Sequence, residues 1–161
     1  MPNALEADEI SRNLWQGSYP EPGRVLADAG YTMLVLCAHE HQDHPDVFPG
    51  VQVVHAPNFD DGGIDPLTQA LFDTAVRAAQ LTELEIVAGG RVLVTCRMGM
   101  NRSGLVTALA LHYLYGWDGP TCIHRVRSFR KAPNGYYPLS NSEFVRVLKT
   151  LPARAPNPSR R

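Results

Sequence analysis

The segment VTCRMGMNRSG, residues 94–104, places an arginine six residues after a cysteine, with a glycine between them. If a strand ends at Thr95 and a helix starts near Arg102, the N–H groups of the connecting loop and of the helix start converge on one point. That arrangement suits a phosphate-sized dianion, and its field favours the thiolate form of Cys96 over the thiol. The planar guanidinium of Arg102 can hold two phosphoryl oxygens at once.

The chemistry that this segment predicts is transfer of a phosphoryl group to Cys96, followed by hydrolysis of the phosphocysteine. Ser103 is placed to donate a hydrogen bond to the sulfur when it leaves. Backbone amides and Arg102 supply the charge stabilisation, so we expect neither a metal ion nor a cofactor. The residues predicted to bind the substrate are Arg97, Met98, Gly99, Met100, Asn101 and Arg102. The competing interpretation is a buried cysteine at a strand end, followed by an ordinary helix with an exposed arginine.

A leaving alkoxide or phenoxide needs a proton, so a carboxylic acid is expected on a loop near the cysteine. The segment PNFDDGG, residues 57–63, offers two adjacent aspartates. Counting back from the helix that follows favours Asp61, whereas counting forward from Pro57 favours Asp60. We take Asp61 as the predicted general acid and keep Asp60 as the alternative; turn or helix-start chemistry is the ordinary use of either residue.

Hydrophobic patterning predicts the elements that position these residues. Apolar runs indicate strands, and spacings of three to four residues between apolar positions indicate helices. Strands are predicted at 13–17, 32–38, 51–56 and 91–95, and helices near 22–30, 66–88, 102–116, 120–131 and 140–151. A Ser140 to Glu143 capping box is expected to start the last helix. One domain spanning residues 1–151 is predicted, with a disordered tail at 152–161.

Composition restricts the function classes. The chain has 161 residues, a net charge of −1 and three cysteines without a CxxC motif. The near-neutral charge gives no general indication of nucleic-acid or membrane binding, and the cysteine pattern is not a disulfide framework. We therefore expect a soluble cytoplasmic protein that does not bind membranes. Four basic residues in the predicted 120–131 helix are typical of a solvent-exposed face; they are Arg125, Arg127, Arg130 and Lys131.

The sequence resembles the cysteine-dependent protein tyrosine phosphatase superfamily, in particular its compact dual-specificity branch. The similarity runs through NLWQGSYPEP, GYTMLVLCA, VQVVHAPNFDDGG and VLVTCRMGMNRSGLVTALAL, which cover most of the chain. It implies an α/β domain with a central, mostly parallel sheet of about four to five strands flanked by helices. It also implies a phosphatase acting through Cys96 and Arg102. The FDDG stretch is similar to one in small regenerating-liver-type phosphatases, where the second aspartate is the acid.

The chain departs from the family pattern at Thr95, where the family usually has a histidine that organises the loop and tunes the cysteine. Threonine can hydrogen-bond through its hydroxyl but carries no charge. We expect either weaker activation of Cys96 or a compensating feature elsewhere. A β-branched residue is also simply a good strand residue.

A histidine-rich segment, AHEHQDH at 38–44, matches the His-x-His-x-Asp-His pattern of metallo-β-lactamase-type hydrolases. Further ligands in a matching context are missing, so a polar surface loop is the favoured interpretation. The overlapping stretch LCAHEHQD is instead similar to tensin-like lipid phosphatases, in which a cysteine faces the catalytic one. By that resemblance Cys37 can trap oxidised Cys96 as a reversible disulfide. The simpler interpretation of Cys37 is a small buried core residue.

The substrate is weakly determined by sequence. The resemblance implies a shallow pocket that accepts phosphotyrosine, phosphoserine and phosphothreonine on proteins. GMNRSG is also similar to a motif of RNA 5′-triphosphatases in the same superfamily, which makes a nucleic-acid end a possible but less favoured partner. A phosphoinositide, or phosphate binding with little turnover, is a further alternative.

Overall fold

The computed structural model describes residues 5–131 and 135–156. Five strands form one sheet in the order β1-β2-β5-β3-β4. The strands are β1 Ala7–Ser11, β2 Leu14–Ser18, β3 Met33–Ala38, β4 Gln52–Asn58 and β5 Val92–Cys96. The helices are α1 Val25–Asp28, α2 Gln69–Val87, α3 Arg102–Tyr115, α4 Gly119–Phe129 and α5 Ser142–Lys149. The predicted α/β domain with a mostly parallel sheet flanked by helices is confirmed.

The sheet is parallel except at one edge. β2, β5, β3 and β4 run parallel to one another, and β1 pairs antiparallel with β2. β1 was absent from the sequence prediction because its residues, ADEIS, are mostly polar and lack a hydrophobic run. An edge strand with one solvated face does not need such a run.

Side chains of β3 and β5 alternate between two hydrophobic clusters. Val35, Cys37, Val94 and Cys96 pack on the face covered by α2 to α5, with α3 at the centre. Leu34, Leu36 and Leu93 pack on the opposite face, beneath α1 and Phe48. Because side chains in a strand alternate, Thr95 faces away from the helices that cover Cys96.

The carboxyl ends of β3, β4 and β5 lie at the same edge of the sheet, because these strands are parallel. The loops that follow them comprise residues 39–44, 59–68 and 97–101. The histidine-rich, acidic and cysteine-containing segments are therefore brought together, although 56 residues separate Cys96 from Glu40 in the chain. Within the described residues no helix is long and apolar enough to cross a membrane.

The last helix starts differently from the predicted capping box. Its N-cap is Asn141, whose side chain accepts hydrogen bonds from the N–H groups of Glu143 and Phe144. Glu143 is turned away from the cap; it accepts from the Leu67 N–H and pairs with Arg146. The Ser140 capping box was therefore wrong by one residue, because asparagine is an equally strong N-cap.

Beyond α5, residues 152–156 form neither helix nor strand, and the Arg154 N–H donates to the Gly116 carbonyl over 2.9 Å. The remainder of the predicted tail, 157–161, lies outside the described residues, as do residues 1–4 and 132–134.

Candidate active site

Cys96 ends β5 in the interior of the protein, and the loop that follows leads directly into α3. α2, α4 and α5 each have a side chain that caps their first N–H groups. In the described structure, Asn101 at the N-cap of α3 makes no such hydrogen bond. The first N–H groups of α3 therefore lack the side-chain acceptor that the other long helices have, as an anion-binding helix start requires.

Ser103 lies within hydrogen-bond distance of the cysteine: its Oγ is 3.2 Å from Cys96 Sγ. The side chain is fully buried, so no water competes for this contact. The predicted pairing of Ser103 with the sulfur is thus geometrically available.

Gly99, in the middle of the loop, has a φ of +70°. A Cβ atom built there would lie 2.3 Å from the carbonyl carbon of Gly17 in β2. Both the left-handed conformation and this close approach exclude a side chain, which explains the glycine in the motif.

Arg102 is 8% exposed and is held by a carboxylate that the sequence analysis did not single out. Its Nη1 and Nη2 donate to the two oxygens of Glu40, over 2.9 and 2.7 Å. Nη1 is also 3.4 Å from His39 Nδ1 and donates to the Asn58 carbonyl over 3.3 Å. Among the contacts of the described residues, the buried Nε has no partner. The Nε of Arg102 is thus unpaired among the described contacts, while Glu40 holds both Nη groups.

The charges around Arg102 reinforce one another. Hydrogen bonds from Arg102 lower the pKa of Glu40 to about 2. Burial alone would lower the pKa of Arg102, but the hydrogen bonds to Glu40 and the nearby Cys96 charge outweigh it and raise that pKa. The Glu40 carboxylate and the Arg102 guanidinium therefore both stay charged near neutral pH.

The segment at 57–63, which we call the acid loop, contains two aspartates whose side chains point in different directions. Asp60 lines the cavity that contains Cys96 and Arg102. Its carboxylate accepts from Asn101 Nδ2 over 2.8 Å and from Asn141 Nδ2 over 2.9 Å. Those bonds hold Asp60 above the cysteine loop.

Asp61, the predicted acid, instead closes a turn within its own loop. Its oxygens accept from the N–H groups of Gly63, Ile64 and Asp65. Those backbone bonds, the one from Asp65 foremost, lower the pKa of Asp61 and favour the form without a proton. It lines a separate cavity, beside Leu67 and Phe144. The structure thus places Asp61 away from Cys96, because its side chain is used to satisfy the turn.

The cavity above Cys96 has a volume of about 250 Å³. That is below the roughly 300–1,000 Å³ of sites that enclose a whole drug-sized ligand, so it fits a phosphoryl group and its immediate attachment. Of the residues predicted to bind substrate, Arg97 is exposed, Met98 is exposed at the rim and Met100 is buried. Tyr136 and Ser140 complete the lining.

Thr95 and Cys37 lie on the two sides of the strand pair β3 and β5. The Thr95 hydroxyl donates to the Val35 carbonyl over 3.0 Å, inside the sheet, and is thereby committed away from the cysteine loop. The last paired residues of β3 and β5 are Leu36 and Thr95. Cys37 comes directly after Leu36 on β3, and Cys96 comes directly after Thr95 on β5. Burial, followed by the charge at Cys96, raises the pKa of Cys37 well above its usual value.

The histidine-rich loop separates its imidazoles. His39 packs against Phe59, His41 stacks on Tyr19 at 4.0 Å, and His44 accepts from the Asp46 N–H. In residues 5–131 and 135–156, no three His, Cys, Asp or Glu side chains are grouped so that they could bind a metal. The His-x-His-x-Asp-His pattern is therefore not assembled into a ligand set.

Arg130 was predicted on a solvent-exposed face, and that prediction was wrong because the side chain is 1% exposed. Its Nε donates to the Gly99 carbonyl over 2.8 Å and its Nη2 to the Met98 carbonyl over 3.0 Å. Glu6 and Asp8 neutralise it, in or next to the β1 strand that the sequence analysis missed. Without that strand, nothing in the sequence distinguished Arg130 from its basic neighbours.

Comparison with protein families found no matching family model, and comparison with curated proteins found no match. Solved structures do match. Human DUSP28 superposes with a TM-score of 0.67 at 25% identity, covering 92% of this chain and 95% of the other. A mouse putative dual specificity phosphatase complexed with zinc tungstate gives 0.71 at 24% identity, covering 92% and 89%.

A third similar structure is the human tyrosine phosphatase-like serine/threonine/tyrosine-interacting protein, with a TM-score of 0.70 at 19% identity over 89% of this chain and 93% of the other. The chain has the compact, dual-specificity-like cysteine phosphatase fold. Its similarity to phosphatase structures supports a phosphatase activity.

Proposed function

We propose that this chain, which has the fold of the compact cysteine phosphatases, is a metal-independent phosphatase that hydrolyses phosphomonoesters through a phosphocysteine intermediate. One observation carries the proposal. The Cys96 sulfur lies at the uncapped start of α3, beside Ser103, in a cavity shared with Arg102 and Asp60. Nucleophile, charge clamp and acid are thus grouped around a space of phosphoryl size.

The reaction follows from these positions. The Cys96 thiolate attacks phosphorus, forming the P–S bond as the P–O bond to the leaving group breaks. Arg102 and the amides of residues 97–102 hold the three non-bridging oxygens, where negative charge accumulates. A proton from the acid loop goes to the leaving oxygen. Water then attacks the phosphocysteine, its proton returns to the same carboxylate, and the sulfur leaves as thiolate with the Ser103 hydroxyl facing it.

We assign the acid to Asp60 in place of Asp61. Asp60 shares the cavity with Cys96, and the amides of Asn101 and Asn141 hold it there. A proton donor must lie within reach of the leaving oxygen, and this geometric requirement precedes any consideration of acidity.

Phosphorylated proteins are the proposed substrate, with phosphotyrosine, phosphoserine and phosphothreonine all admitted. Among the described residues that line the cavity, the exposed side chains at its rim include those of Met98 and Tyr136 and one guanidinium, that of Arg97. A 5′-triphosphate or a polyphosphorylated inositol needs several cations around the phosphoryl site. The protein substrate is favoured for that reason.

Turnover of an aryl phosphate with and without chelator tests the proposal, using wild type, Cys96→Ser and Arg102→Lys. Chelator-resistant activity that both substitutions abolish is expected, together with a phosphoenzyme trapped on Cys96 after rapid acid quench. Loss of activity with chelator would exclude the thiol mechanism. Phosphotyrosine peptide binding without turnover would show a phosphate-binding module instead. Parallel assays on phosphopeptides, triphosphate-ended RNA and phosphoinositide vesicles then separate the substrate classes.

A further inference from the structure

We propose that Gln16, a buried residue of β2, is the positioning residue that directs the Ser103 hydroxyl onto the Cys96 sulfur and so supplies the loop organisation that Thr95 does not. The catalytic consequence rests on the proposed phosphatase function, whereas the structural arrangement does not.

Gln16 reaches the cysteine loop from the neighbouring strand. In the parallel register Gln16 is paired with Val94, two residues before the nucleophile. Its Nε2 donates to the Gly99 carbonyl over 3.0 Å and to Ser103 Oγ over 3.3 Å. The start of α3 lies directly against this amide, since a Cβ built at Gly104 would be 3.5 Å from Nε2.

The direction of the hydroxyl follows from the donor and acceptor inventory. A carbonyl oxygen only accepts hydrogen bonds, so the amide atom facing Gly99 must be the NH2 group of Gln16. That group has two hydrogens, and the second is directed at Ser103 Oγ. Because Ser103 then accepts from Gln16, its own proton is free for the sulfur 3.2 Å away. The chain of donors runs from Gln16 through Ser103 to Cys96.

The energetics indicate a role other than packing. Gln16 is 0% exposed, and its Oε1 has no partner among the contacts of the described residues. A buried amide with an unsatisfied oxygen is destabilising, and an apolar side chain of the same size suits a buried strand better. The Gly99 carbonyl also has a second donor, Arg130, so the loop does not depend on Gln16 for that bond. The contact that Gln16 supplies alone is the one to Ser103.

The Thr95 hydroxyl is bonded inside the sheet to the Val35 carbonyl, on the face opposite Cys96. Among the contacts of the described residues, the Thr95 hydroxyl therefore makes no hydrogen bond to the loop at 97–101. Gln16 lies on the helix-covered face beside the loop and supplies such a bond from the adjacent strand. The arrangement orients a neutral donor, so it acts on the sulfur by hydrogen bonding without adding a charge.

The test is the pH dependence of Cys96 alkylation by iodoacetamide, which needs no turnover. We expect Gln16→Met, close in shape but without an amide, to lower the alkylation rate below the midpoint pH about three- to tenfold and to move the midpoint upward. In a Ser103→Ala background the same substitution is expected to change the rate less than about twofold, because the relay is already broken. Thermal unfolding is expected to show Gln16→Met at least as stable as wild type.

Gln42→Met is the matched control. Gln42 also braces backbone, donating to the Leu36 and Ala38 carbonyls, but does not contact Ser103. The midpoint pH of Cys96 alkylation in Gln42→Met should equal that of wild type. An unchanged midpoint in Gln16→Met, or an equal loss in the Ser103→Ala background, overturns the Gln16 proposal. If the alkylation midpoint of Gln16→Met shifts but the wild-type protein hydrolyses no phosphate ester, the Gln16 proposal stands and the proposed function fails. If the wild-type protein is an active phosphatase but the midpoint does not shift, the proposed function stands and the Gln16 proposal fails.

Discussion

Glu40 accepts hydrogen bonds of 2.7 and 2.9 Å from the two Nη groups of Arg102. The guanidinium Nε has no partner among the described contacts. The arginine is therefore fixed before a substrate arrives. A clamp that is already oriented loses little side-chain freedom on binding, which favours both affinity and rate.

Replacing Glu40 by glutamine should release this clamp. One oxygen still accepts, but the charge and the two-point geometry are lost, so we expect kcat/KM for aryl phosphates to fall about 10- to 100-fold. Steady-state kinetics measure the change, and unchanged kinetics would show that Arg102 is held by other contacts. The matched control is Glu143→Gln, which weakens a carboxylate–guanidinium pair with Arg146 outside the Cys96 cavity.

The ion pair between Glu40 and Arg102 should persist in acid until the pH approaches 2. The pKa of Glu40 falls from 4.5 to about 2 in the folded protein. The stability that this pair contributes is complete above pH 4.5 and is lost as pH falls toward 2. The acidic limb of the pH–rate profile should therefore be the same in wild type and in Glu40→Gln. A limb that moves with the substitution would assign it to Glu40.

The two aspartates should respond differently to replacement by asparagine. For Asp60→Asn we expect kcat to fall about 10²- to 10⁴-fold with phenyl phosphate, because that leaving group needs a proton, and less with p-nitrophenyl phosphate. Asp61→Asn should change kcat only a few-fold, because Asp61 lies outside the Cys96 cavity and the new amide oxygen still accepts from the Gly63 and Ile64 N–H groups. The ratio of the two substrates' kcat values measures the acid contribution. A larger effect of the substitution at Asp61 would identify that residue as the acid.

The sequence was sufficient to predict the helices, strands β2 to β5 and the loop that carries the cysteine motif, because hydrophobic patterning and a compact motif reveal those features. It missed the mostly polar edge strand β1. It did not resolve Asp60 from Asp61, since adjacent residues differ only in side-chain direction. Glu40, Gln16 and Arg130 were missed for another reason. Their roles come from contacts with residues 31 to 124 positions away, which only the assembled fold brings together.

Peroxide should link Cys37 to Cys96. Peroxide oxidises the Cys96 thiolate to a sulfenic acid and, with a proton from solvent, is reduced to water. The Cys37 thiolate then attacks the Cys96 sulfur; the S–S bond forms as the S–O bond breaks, and the expelled hydroxide takes up a proton to become water. The raised pKa of Cys37 keeps it mainly protonated, so this second step should accelerate about tenfold per unit of rising pH. Mass spectrometry of unreduced tryptic peptides detects the link.

Cys37→Ala is the control for this disulfide. Without a resolving thiol, Cys96 should proceed to the sulfinic acid, and activity should no longer return with dithiothreitol. Recovery equal to that of wild type would leave Cys37 as a core residue without a redox role.

Arg130 should be more important for stability than any exposed ion pair. Arg130→Met removes two donors to the loop carbonyls of Met98 and Gly99 and leaves Glu6 and Asp8 unpaired. Those carboxylates are 41% and 27% exposed and can hydrate, so the expected loss in unfolding free energy is about 2–3 kcal/mol, below that of a fully buried broken pair. Arg146→Met removes the exposed partner of Glu143, whose carboxylate keeps its hydrogen bond from the Leu67 N–H, and should cost less than about 1 kcal/mol.

Urea unfolding at several pH values completes this test. Burial raises the pKa of Glu6, but hydrogen bonds from Arg130 and Ser18 outweigh burial and lower it below 4.5. The Glu6 contribution is therefore present above pH 4.5 and is lost as pH falls below that value. The gap between wild type and Arg130→Met should narrow in acid, whereas the Arg146→Met gap stays small throughout. A gap for Arg130→Met that is independent of pH would show that the loop carbonyls, rather than the carboxylates, account for its contribution.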